Sequence, residues 1–359
     1  MTTTSYLETA VSKPLGIEPK TDAFEFRPGT VEDIDGLAEL FQIVYGHTTH
    51  PCQSPAYIRN SMNCAQQRWF VVANKTALQG CACITSRPWN QSWEVGYGVI
   101  HPDARRGGAI SNLIRLSLED HRPEPIELGY YTPRNIAIHS VMKKIKPAVL
   151  VGHDGGPNKV DGIREYHLTA IHPPTQEGFV HIAPWYARAC ETDFISQYLY
   201  ASLQLEPVLG AYPHTYLSGA PGTERHGQLL YTLDPEANAL MVSGHVGSYP
   251  TEREVLQELA SLLQTYKEVE YVSVQVLADK LELFGGLMQQ GFAMTAYLPA
   301  WHLQGGARYD CITLVWQKFA QAPRSHGFDE DVAFFDQAYA RLGDTLCSIR
   351  PGLAPRVAV

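Results

Sequence analysis

No basic run occurs in this sequence, and the formal charge is −9, from 28 Lys and Arg against 37 Asp and Glu. A surface that grips nucleic acid needs lysines and arginines facing phosphate, so no nucleic-acid partner is expected. Nor is there an apolar run long enough to cross a bilayer, which takes about 20 residues. The opening MTTTSYLETAVSKPLG lacks the basic-then-apolar pattern of a secretion signal. These two absences predict a cytoplasmic protein with no membrane partner. Cysteine is sparse: seven residues, an odd number, are spread from Cys52 to Cys347, unlike the paired framework of small secreted domains. Reduced thiols are expected, with Cys81 and Cys83 sharing one face of an apparent strand as core packing. No second Cys pair completes a zinc site, and no metal is expected.

What is present describes a folded chain of more than one domain. With 359 residues, 45% hydrophobic and 18% charged, each half can bury its own core. Residues 1–21 have no clear period and read as a tail. From Phe24 the pattern is regular: a strand, a helix that starts after Thr30 with Val31, Leu37, Leu40 and Phe41 at helical spacing, and strands near 68–74, 77–86 and 93–100. A helix at 108–120, a strand at 125–131, a helix at 135–145 and strands near 148–152 and 163–170 complete an α/β unit with a mainly antiparallel sheet. After the proline-rich joint IHPPTQEG a similar order returns. Strands are expected near 228–233, 239–247, 271–277, 292–299 and 309–316, helices at 251–265 and 279–290, and a terminal amphipathic helix from 329 to about 342. The boundaries are a first domain at 22–175, a second at 176–320 and a helix with tail at 321–359.

The stretch EVGYGVIHPDARRGGAISNLI, residues 94–114, carries the chemistry. A strand ends in His-Pro and passes through arginines and glycines into a helix. Unsatisfied N–H groups at a helix start, glycines that allow close approach and arginines that pair with phosphate oxygens together suit a phosphate ligand. Arg105, Arg106, Gly107, Gly108, Ala109 and Ser111 supply that set.

This loop resembles the pyrophosphate loop, Q/R-x-x-G-x-G/A, of the GNAT superfamily of N-acetyltransferases. Arg105 stands at its first position, Gly108 at its glycine, Leu113 at the following helix leucine and Ile110 at its last small position. The opening RPGTVEDIDGLAELF, the strand order and Asn135 are similar too. The resemblance implies a first domain that binds acetyl-coenzyme A or another acyl-coenzyme A. Val99 and Ile100 would hold the pantetheine arm, residues 105–111 the pyrophosphate and Asn135 a further coenzyme contact. It also implies a general base at Glu94, on the fourth strand. The family's usual thiolate-protonating tyrosine is replaced by Met142, which leaves Tyr130, Tyr131 and His139 as substitutes. Catalytic candidates are therefore Glu94, Tyr131 and His139.

The segment YGHTTHPCQSP puts His47, His50 and Cys52 beside the acceptor, as a polar loop rather than a metal site. His153, Asp154 and the glycines after them suggest a mobile loop over the acceptor. The second half resembles a degenerate second copy without the arginine-glycine loop; Tyr297, Trp301 and Tyr309 either line an acceptor pocket between the domains or pack in the sheet. Three functions follow: acyl transfer to an amine of a small molecule, acyl transfer to another nucleophile or decarboxylation of a malonyl-type ester, and non-catalytic sensing of acyl-coenzyme A. Monomer and homodimer both remain open.

Overall fold

The computed structural model describes residues 24–46, 50–105, 107–160, 162–175, 179–189, 192–318 and 326–349. The expected tail, the joint at 176–178, and His47 and Arg106 lie outside them. Among the described residues no helix is long and apolar enough to cross a membrane.

The first half follows the expected order. It comprises β1 (Glu25–Pro28), α1 (Ile34–Tyr45), α2 (Pro55–Met62), β2 (Gln67–Ala73), β3 (Leu78–Arg87), β4 (Ser92–Ile100), α3 (Ala109–His121), β5 (Leu128–Tyr131), α4 (Ile136–Ile145), β6 (Val149–His153) and β7 (Leu168–His172). Helix α1 buries the stripe Ile34, Leu37, Leu40 and Phe41. Its entry is fixed by Asp33, which accepts two bonds of 2.7 Å from the Arg27 guanidinium. One boundary moves: the strand expected from 163 begins at Leu168, because Lys159–Val160 and Ile163–Arg164 pair as a small hairpin turned at Gly162, where φ is +76°.

The second half contains β8 (Val180–Ala183), β9 (Leu229–Asp234), β10 (Ala239–His245), α5 (Glu252–Thr265), β11 (Tyr271–Leu277), α6 (Leu281–Gln289), β12 (Ala293–Gln304), β13 (Ala307–Gln317) and α7 (Asp329–Ser348). Its helical segment at Phe194–Tyr200 was not expected from the sequence. One sheet runs through both halves in the order β1-β2-β3-β4-β5-β7-β6-β12-β13-β11-β10-β9. Outward from the junction, the succession β6-β7-β5-β4-β3 on one side is matched by β12-β13-β11-β10-β9 on the other. In each, a parallel pair, β4–β5 or β10–β11, is bridged by a crossover helix, α3 or α5, and flanked by antiparallel neighbours.

The halves meet at a narrow seam where Gly152 of β6 pairs with Ala296 of β12. Gly152 has φ +138°, and a Cβ there would lie 2.3 Å from the Thr295 carbonyl, so only glycine lets the strands approach. Helix α7 covers the seam: Tyr339 donates to the Val151 carbonyl, and the His153 ring is 3.0 Å from Asp336. The loop expected to be mobile is therefore packed. His153, Gly155 and Gly156 are buried, and Gly155 abuts Val315.

In both halves the parallel pair separates before its strands end. Strand β10 pairs with β11 only from Ala239 to Val242 and runs on to His245. There the opening is filled by the chain itself: Leu217 bridges Val276, Ser218 N–H donates to the Gln275 carbonyl at 2.9 Å, and Leu277 N–H donates to Tyr216 at 3.0 Å. Tyr216 N–H also donates to His245 Nε2 at 3.3 Å. The start of α5 is closed as well, with Thr251 as cap and Glu252 and Glu254 in the first turn.

Arg308 ties the halves together. Its fully buried guanidinium donates to the carbonyls of Ile126 (2.9 Å), Asn90 (3.0 Å) and Gln91 (2.7 Å) in the first half and Ala300 (3.0 Å) in the second. Burial lowers its pKa to about 10, which still leaves it charged at neutral pH. We expect Arg308→Ala to cost about 3–5 kcal/mol in urea unfolding, because the carbonyls lose their donor and cannot reach water. A loss under about 1 kcal/mol would show that the guanidinium is not a structural tie.

Candidate functional site

Strands β4 and β5 pair only at Ser92–Leu128, Trp93–Gly129 and Glu94–Tyr130. Past Glu94, β4 continues to Ile100 without β5 beside it. At the closed end, buried Trp93 lies so close under β5 that a Cβ on Gly129 would come within 2.1 Å of its ring. His172 stacks on that ring at 5.3 Å. At the open end β4 bulges: Cys81 faces Val99 but Cys83 faces Gly96. The bulge holds Tyr97 at φ +51°, a strained conformation for a residue with a side chain. Tyr97 is kept there by stacking on Trp69 at 5.3 Å and by a 2.7 Å bond between its hydroxyl and that of Tyr57.

The separation opens a groove of about 990 Å³, lined by β4 from Glu94 to Ile100, by Arg105, Gly108, Ala109 and Ile110, and by Tyr131, Asn135, Ile138 and Met142. The sequence had placed most of these together. Gly108 caps α3 with φ +74° and has open space where a side chain would project. The first intrahelical bond that follows is Asn112 N–H to the Gly108 carbonyl, so the N–H groups of Ala109, Ile110 and Ser111 lack helical partners. No acidic residue occupies this first turn, in contrast to α5. A helix start with free N–H groups, an open glycine and Arg105 at its mouth is a donor set suited to a diphosphate. Asn135 lines the groove too, but its Oδ1 is engaged, capping α4 by accepting from Ile138 N–H at 3.0 Å.

Glu94 lies at the point of divergence. Arg87 donates to its carboxylate, and the Tyr130 hydroxyl donates to the same oxygen at 3.3 Å. Tyr131 and His139, singled out separately in the sequence, form a pair, with the Tyr131 hydroxyl 3.0 Å from His139 Nδ1. Burial raises the Tyr131 phenol and lowers the His139 imidazole, so both are neutral near pH 7. Met142 stands in the groove as a buried apolar wall.

Toward the acceptor side, His50 is stacked on Phe41 at 4.8 Å and Tyr45 at 4.3 Å, and its Nδ1 accepts from Cys52 N–H at 3.1 Å. Burial, with Arg134 nearby, lowers it to about 4. Cys81 and Cys83 are core thiols, Cys83 pushed by burial to about 12. Sequence reasoning missed Arg87, Arg134 and His167. His167 lines the groove with its Nδ1 3.1 Å from Asp154 Oδ2, while Asp154 Oδ1 accepts from His167 N–H at 3.0 Å. Trp301 lines a second cavity between the halves, but Tyr297 and Tyr309 do not join it. Tyr297 is buried, donating to Asp310 at 2.7 Å, and Tyr309 packs on Tyr212 at 5.0 Å.

The element order from β1 to β7 and the divergence of β4 from β5 are the arrangement the resemblance implies; the bulge in β4 was not foreseen. No protein-family model matches the sequence, and no curated protein does. Solved structures similar to part of the chain include the ribosomal-protein-S5-alanine acetyltransferase of Vibrio fischeri, with 15% identity, TM-score 0.36 and coverage of 43% of this chain and 94% of that one. The ribosomal-protein-S18-alanine N-acetyltransferase of Escherichia coli matches with 10% identity, TM-score 0.36 and coverage of 43% and 96%. A ribosomal-protein acetyltransferase in complex with coenzyme A matches with 13% identity, TM-score 0.37 and coverage of 43% and 96%.

The support beneath the groove is sensitive to acid. His172 Nδ1 lies 2.8 Å from the Pro147 carbonyl, its Nε2 is buried without a partner among the described residues, and burial lowers it from 6.5 to about 4. Below pH 6.5 the unfolded chain binds a proton that the folded one refuses. Stability present at pH 7 should therefore fall as pH drops from 6.5 toward 4, by roughly 3 kcal/mol, and then level off. Urea midpoints across this range test it; His172→Phe should flatten the slope, and an unchanged slope would assign the loss elsewhere.

Proposed function

We propose that this protein is an acyl-coenzyme A-dependent N-acyltransferase, most simply an acetyltransferase, acting on the amine of a small molecule. The observation that carries the reading is the open groove between β4 and β5, with a glycine-capped, acid-free helix start at one end and Glu94 at its point of divergence. The chain reads as two GNAT-like domains, at 22–175 and 176–320. Only the first is assigned a coenzyme, because Tyr216–Ser218 fill the corresponding opening of the second.

Bound acyl-coenzyme A supplies the activated acyl group. Arg105 and the N–H groups of residues 108–111 hold its diphosphate, and the unpaired edge of β4 at Val99 and Ile100 lies alongside the pantetheine arm. Asn135 orients α4 against the same arm. Glu94, fixed by Arg87 and Tyr130, takes the proton that an ammonium acceptor must lose before nitrogen can attack. The C–N bond forms as the C–S bond breaks, the nitrogen gives its second proton to solvent, and the neutral Tyr131 hydroxyl, held by His139, protonates the departing sulfur. The Glu94 carboxylic acid returns its proton to solvent, which also reprotonates Tyr131.

Calorimetric titration with coenzyme A and with acetyl-, malonyl- and longer acyl-coenzyme A tests the donor. Arg105→Ala should weaken binding about 10–100-fold, more at low salt, and equal affinity would refute the diphosphate assignment. Glu94→Gln and Tyr131→Phe should each lower kcat by about 10²-fold or more with donor affinity retained. Full turnover by Glu94→Gln would move the base to His167, which Asp154 orients.

A further inference from the structure

The second cavity, about 370 Å³, lies on the sheet face between the halves. The first half contributes Arg87, Trp89 and Tyr130, and the second contributes Trp301, Gln275 and the serines at 218, 243 and 273. It adjoins the groove at Arg87, which lines both. Tyr130, in its wall, donates to Glu94 in the groove. A molecule held here therefore lies next to the group assigned as base.

Its lining states what that molecule carries. Trp301 meets Tyr130 at 5.1 Å and Trp89 at 6.3 Å, both edge-on, forming an aromatic corner that suits a flat apolar ring. In the same corner Arg87 Nε and Trp89 Nε1 are buried N–H donors without a partner among the described residues. A buried donor left unpaired is costly, and a ligand oxygen recovers that cost. Trp301 Nε1 is not part of this demand, since it donates to Gln275 at 3.1 Å. Arg87 opposes a polycation, and the volume suits one small molecule.

We propose that the cavity binds an aromatic amino acid as acceptor, with its ring against Trp89, Tyr130 and Trp301, its carboxylate on Arg87 Nε and Trp89 Nε1, and its amine at Glu94. This rests on the acyltransferase reading for the transfer step but not for binding. The ammonium loses one proton to Glu94, its nitrogen gives a second to solvent as the amide forms and the thioester C–S bond breaks, and the sulfur takes a proton from Tyr131 and leaves as the free thiol.

The test measures thiol release from acetyl-coenzyme A with L-tryptophan, L-tyrosine or L-phenylalanine, compared with tryptamine, glycine and spermidine. The aromatic amino acids should exceed the others about 10-fold or more in kcat/KM. Trp301→Ala should raise KM about 10-fold, and Trp89→Phe, which keeps the ring but removes the N–H, should narrow the preference for L-tryptophan over tryptamine. Neither should change affinity for acetyl-coenzyme A. Equal rates with glycine or spermidine, or an unaffected Trp301→Ala, would overturn the proposal. Should no thiol appear, calorimetry with L-phenylalanine separates the two ideas. Binding that Trp301→Ala abolishes supports the cavity and removes the transferase reading; no binding to a protein that does bind acetyl-coenzyme A removes the cavity and leaves the transferase.

Discussion

The buried guanidinium of Arg308 is the constraint on which the arrangement of the halves depends. A charge without a carboxylate partner is expensive to bury, and here the cost is offset by carbonyls from the turn after β3, the approach to β5 and the bulge in β12. Those carbonyls belong to residues within a few positions of Arg87, Trp89, Tyr130 and Trp301. The same bonds that join the halves therefore fix the rim of both cavities. At Ala300, φ is +55°, and its N–H is also held, at 2.8 Å, by Asp310. Asp310 in turn accepts from Tyr200 and Tyr297 and lies 2.6 Å from His181 Nε2. A strained bulge is maintained by a polar network inside an apolar core.

Much of the fold was legible because it rests on periodicity. Alternation at YVSVQVL and helical spacing in α1, α3 and α5 depend on which face is buried, and sequence records that directly. The strand order around the groove followed from the same elements, and the arginine-glycine loop stood out as a candidate because a helix start and its glycines are local features. What escaped was non-local. Arg308 stands near the start of a strand, two residues past Gly306, and only the fold shows four carbonyls around it. Arg87 and Trp89 occupy a hairpin turn that looks solvent-facing until the second half covers it. His167 and Asp154 are thirteen residues apart, brought together by β6 and β7.

Some residues took other roles because a strong local partner claimed them. His50, expected in a polar loop beside the acceptor, lines the groove while its ring nitrogen caps the turn at Cys52. Of the two readings left open for Tyr297, Asp310 selects packing in the core. Tyr131 and His139 were separate candidates; helix α4 turns them into one hydrogen-bonded unit.

The strand Tyr216–Ser218 carries a consequence of a different kind. Three residues offered from solution would bind a sheet edge weakly, since their few hydrogen bonds barely offset the freedom lost. Attached at both ends, the same residues are present at a fixed effective concentration that no diffusing molecule of similar affinity can match. The second half thus fills its own opening with a segment tethered at both ends.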